Sequence, residues 1–135
     1  MSSKAVRDKF RASWPILVPS IPMFDVVNDD PDHDIMPDLW VAVEFISFNE
    51  EAVSLGRPAC RRESGTITIV LSVKSGTSDD AINDAAEVIR DAYRYWKDGS
   101  VRSTQIDPPV PADGFSDGLW YIVDIDISYD YDRFI

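Results

Sequence analysis

The chain of 135 residues contains one cysteine, Cys60, and one histidine, His33. A lone cysteine cannot close an intrachain disulfide, so a reducing compartment costs the fold nothing. A lone histidine cannot build a zinc site, which needs three or four ligands. Basic residues are scarce as well: 13 Lys and Arg stand against 24 Asp and Glu, a net charge of -11. Proteins that grip nucleic acid neutralise phosphates with Lys and Arg, and attraction to anionic lipid surfaces draws on the same residues. The balance excludes both modes. No apolar run approaches the ~20 residues of a membrane-spanning helix. Met1-Ser2-Ser3-Lys4 opens on a charged stretch without an apolar signal core, so the expected site of synthesis and assembly is a cytosol.

What is present argues for a folded domain. Hydrophobic residues make up 44% and aromatics 11% of the chain, too many for a disordered acidic tail. The length suits one domain spanning 1–135, large enough to bury roughly two-thirds of its unfolded surface.

Residues 3 to 14 read as a short helix, with Val6, Phe10 and Trp14 at four-residue spacing and Lys4, Arg7, Lys9 and Arg11 around them. Pro15 is expected to end it. Residues 15–38 carry five prolines and read as an extended loop that lies on something, given its Ile, Val, Met and Phe content. Leu39 to Phe48 reads as a strand apolar on nearly both faces, Glu50 to Gly65 as irregular, and Thr66 to Lys74 as an alternating strand. Ser78 to Trp96 has the stripe Ile82, Ala85, Ala86, Ile89, Tyr93 and Trp96 of a long amphipathic helix, with Ser78 as N-cap and Gly99 at its stop. Val101 to Ile106 reads as a short strand and 107–118 as a Pro/Gly loop. Leu119 to Asp132 alternates strictly, apolar on one face and Asp or Ser on the other. This order predicts an α+β fold: a mainly antiparallel mixed sheet with a long helix packed on one face and a short N-terminal helix.

Chemical motifs are few. Gly114-Phe115-Ser116-Asp117-Gly118 has the letters of a nucleophile elbow but lies between a proline-rich loop and a strand, where a strand-to-helix turn is required. Asp29 to Asp34 holds aspartates at alternate positions. An EF-hand register from Asp30 nevertheless meets Ile35 where glycine is needed and Val41 where glutamate is needed. No catalytic residue, metal ligand or cofactor is assigned, and the expectation is a non-enzyme. Two charged sets remain. Arg57, Arg61, Arg62, Arg7 and Arg11 are candidates for a subunit interface, where the planar guanidinium is favoured. Asp124, Asp126, Asp130 and Asp132 share one strand face, either as guards of a sheet edge or as an acidic surface presented within an assembly.

The order of elements resembles the tail-terminator (tail-completion) family of long-tailed bacteriophages. The resemblance is carried by a helix running into Trp14-Pro15-Ile16, then Ile21-Pro22-Met23-Phe24, the strand Leu39-Trp40-Val41-Ala42-Val43, and Ser54-Leu55-Gly56. Arg62-Glu63-Ser64-Gly65-Thr66-Ile67-Thr68-Ile69, Gly76 before the second helix, and Gly118-Leu119-Trp120-Tyr121 complete it. It implies a virion protein, assembled in the host cytoplasm, that forms a ring, commonly a hexamer, on the head-proximal end of the tail. Its partners would be other copies of itself, the tail tube protein and the head–neck connector. DNA would pass an acidic lumen formed by Asp124, Asp126, Asp130 and Asp132 without specific binding. The alternatives are another head–tail connector or head-closure component and, from another class, a small metal-dependent enzyme using the clustered aspartates.

Overall fold

The computed structural model describes residues 3–24, 38–56, 59–74, 79–116 and 120–134. In chain order these form α1 (Lys4–Leu17), β1 (Met23–Phe24), β2 (Leu39–Ala52), β3 (Cys60–Lys74), α2 (Asp79–Tyr93), β4 (Lys97–Asp98), β5 (Val101–Ile106), β6 (Val110–Ser116) and β7 (Trp120–Phe134). The strands make one seven-stranded sheet in the order β1-β2-β3-β7-β5-β4, with β6 also pairing β7. Pairing is antiparallel except for β1 against β2.

Alternation on the long strands creates the core. Val43, Ile69 and Ile125 stand side by side across β2, β3 and β7, and Val41, Leu71 and Val123 form the next row. All six are buried, and each contributes roughly 1.5–3 kcal/mol of hydrophobic stabilisation relative to exposure. The sheet curls into a half-barrel around this face. Both helices fill the hollow: α1 buries Val6, Phe10 and Trp14, and α2 buries Ile82, Ala85, Ala86, Ile89 and Tyr93. They meet through aromatic rings. Phe10 lies 4.9 Å from Tyr93 and 5.8 Å from Trp96, and Trp14 stacks on Tyr93 at 5.9 Å. The Trp14 indole donates to the Ile21 carbonyl at 2.7 Å, fixing the turn after α1.

The expected α+β fold with one long helix on a sheet is therefore corrected. The molecule is mostly sheet, and its two helices are short and nearly equal, 14 and 15 residues. Two physical effects account for the difference. First, Glu50 to Gly65 is too polar to show alternation, yet its backbone continues the ladder, with Glu50 opposite Glu63, Glu51 opposite Arg62 and Ala52 opposite Arg61. Cross-strand bonding sustains that stretch where burial does not. Second, α2 stops at Tyr93 and the chain turns so that Trp96 still reaches the core, its backbone N–H bonding the Tyr93 carbonyl at 3.3 Å. Gly99, with φ of +62°, serves the turn between β4 and β5, not a helix end.

Smaller differences have similar causes. Pro15 lies within α1, whose last turn runs on to Leu17 and closes with Val18 N–H on the Trp14 carbonyl at 2.8 Å. The 15–38 loop begins with that helical turn, buries Val18 and Ile21 and contributes β1, while residues 25–37 lie outside the described residues. The 107–118 loop contains β6 up to Ser116, with Asp117 and Gly118 outside the described residues, as are Ser78 and Gly76. The last strand sits inside the sheet, between β3 and β5, so its aspartates do not guard an edge. Val101–Ile106 is a strand with the expected bounds.

Candidate functional site

Residues opposite one another on neighbouring strands share a face, so the register defines the outer, convex surface of the sheet. At one end Trp40, Ser72 and Ile122 lie in a row, and Trp40 and Ala42 pack with Phe24, Val70 and Ile122. Polar residues follow: Glu44, Thr68 and Asp126 form one row, and Ser64 faces Asp130. Charges close the series, with Glu51, Arg62 and Asp132 in one row and Arg102 of β5 opposite Asp130.

The Asp row on β7 is held from both sides. Arg62 binds Asp132 bidentately, Nε to Oδ1 at 2.8 Å and Nη2 to Oδ2 at 3.1 Å. Arg102 reaches Asp132 and Asp130 at 3.4 Å each from the other flank. The Ser64 hydroxyl donates to Asp130 at 2.9 Å, and that of Thr68 to Asp126 at 2.8 Å. The bidentate bond from Arg62 holds the Asp132 carboxyl below its usual range, with burial opposing and Arg102 adding its field. The same pairing raises the Arg62 guanidinium.

The two charged sets read from the sequence are thus partly one cluster. Arg62 of the interface set and Asp130 and Asp132 of the acidic set touch each other. Two arginines face two aspartates at that end, whereas Asp126 accepts from a neutral hydroxyl. Asp124 faces Val70 on the same surface. Arg61 stands 3.6 Å from Glu50. Arg7 and Arg11 lie apart, on α1 against the inner face, with the Arg11 guanidinium 5.4 Å over the Phe45 ring. The Arg7 Nε is enclosed and has no hydrogen-bond partner among the described residues. Arg57 falls outside the described residues. Arg102 was absent from both sets; its signal was the short strand 101–106, which the sequence placed without indicating its neighbour.

A second feature was hidden in the stretch read as irregular. The outer end of the β2–β3 hairpin forms an exposed arm along its β2 side: every residue from Phe48 to Gly56 is exposed, while β3 alongside stays paired with β7. Phe48 retains 70% and Leu55 99% of its accessible surface, with Val53 and Ile46 also open. At the root of the arm Gly65 lets two strands and a ring approach closely. A Cβ there would lie 2.2 Å from the Ile46 carbonyl oxygen and 2.7 Å from the Tyr129 hydroxyl. A register shift between Ser47 and Asn49 marks the same point.

Sites for small-molecule chemistry are weak. Among the described residues no three His, Cys, Asp or Glu side chains converge as metal ligands, and Asp29–Asp34 lies outside them. A cavity of about 250 Å³ between α2, β6 and β7 is lined by Ile82, Asn83, Pro109, Pro111, Tyr121 and Val123, without a nucleophile–base pair. No helix of the described residues is long and apolar enough to cross a membrane. No protein-family model matches the chain, and no curated protein matches it.

Proposed function

We propose that this chain is a structural virion assembly protein of the tail-terminator kind: a non-enzymatic ring, most simply a hexamer, that caps the head-proximal end of a phage tail tube. It would end tube polymerisation and offer the head–neck connector a surface. The observation that carries the reading is the exposed arm. A sheet hairpin with Phe48 and Leu55 open to solvent is a liability for an isolated domain and an asset for one completed by neighbours. The convex face supports it further, because carboxylates such as Asp126, which accepts from the Thr68 hydroxyl, repel phosphates and would let DNA slide past. The resemblance in element order supplies the tail-end location.

Deletion of the chain from the producing phage tests the proposal. Tails of uncontrolled length are the expected result. Normal-length tails that fail to join heads would identify a head–tail connector instead.

A further inference from the structure

We draw no further inference here: the strongest candidate, the apolar surface of Phe48 and Leu55 on the exposed arm of the β2–β3 hairpin, carries nothing because nothing in the structure shows what covers it.

Discussion

The Tyr129 hydroxyl donates a 2.7 Å hydrogen bond to the Glu63 carboxylate within the curl of the sheet. Glu63 is 8% exposed, and its carboxylate also accepts from the Ser3 hydroxyl and from the Ser3 backbone N–H at 3.4 Å. One buried acid thus joins β3, β7 and the start of α1, where a negative charge also complements the helix dipole. Glu63→Ala should remove the carboxylate acceptor of the Tyr129 hydroxyl and cost about 2–3 kcal/mol, and Tyr129→Phe about 1–2 kcal/mol. Urea denaturation should show a coupling between the two in the double variant; strict additivity would mean that the bond contributes nothing.

Gly65 should tolerate no side chain. The Cβ of Gly65→Ala meets a carbonyl oxygen of the facing strand, which cannot swing aside as a side chain could. A loss of about 2 kcal/mol or more is expected, visible as a lower thermal midpoint. Gly56, beyond the end of β2, where an added Cβ would meet nothing, gives a contrast. Its φ of +92° still strains an alanine there, so the comparison concerns space at Gly65 against backbone at Gly56.

The Arg62–Asp132 pair fixes the sign of one pH dependence. Asp132 titrates below its usual range in the folded chain, so near its unfolded pKa of about 3.9 the unfolded state binds more protons. The pair's contribution is present above that value and is lost as pH falls through the lower folded pKa. Asp132→Asn should flatten the acid limb of a stability–pH curve. An unchanged limb would show that solvent screening cancels the pair.

Tyr93 titrates in the opposite direction. Burial raises its hydroxyl to about 12, against a smaller lowering by the Ser13 hydrogen bond. Between the ordinary value of about 10 and that folded value the unfolded state has lost the proton and the folded state retains it. Stability should therefore fall as pH rises through this window, and the fall should be smaller in Tyr93→Phe. The phenylalanine variant should cost about 1 kcal/mol at neutral pH through loss of the 2.7 Å bond to Ser13. Tyr93→Ala, which empties the aromatic junction of the helices, should cost about 3–5 kcal/mol.

Exposed anchors should behave otherwise. Phe48→Ser and Leu55→Ser should change monomer stability by no more than about 0.5 kcal/mol, because neither ring nor chain is buried. Light scattering of the same variants should report a loss of self-association. A large loss of stability would mean that the arm packs on its own domain.

Apolar periodicity by itself determined where the core would come from. Ile67, Ile69, Leu71 and Val73 at period two, Val6, Phe10 and Trp14 at period four, and the stripe from Ile82 to Tyr93 are all buried as their spacing required, since burying those faces is the dominant gain on folding. The acidic character of β7's other face was legible for the same reason. Only tertiary structure decided the neighbours. Nothing in the sequence of Arg62 or Arg102 indicates that both flank Asp132, because that depends on which strands lie beside β7. The outer half of the hairpin was invisible too. Its ladder is built from backbone hydrogen bonds and cross-strand charges, which leave no hydrophobic period to read, and its exposed Phe48 and Leu55 acquire meaning only once the rest of the apolar surface has been buried.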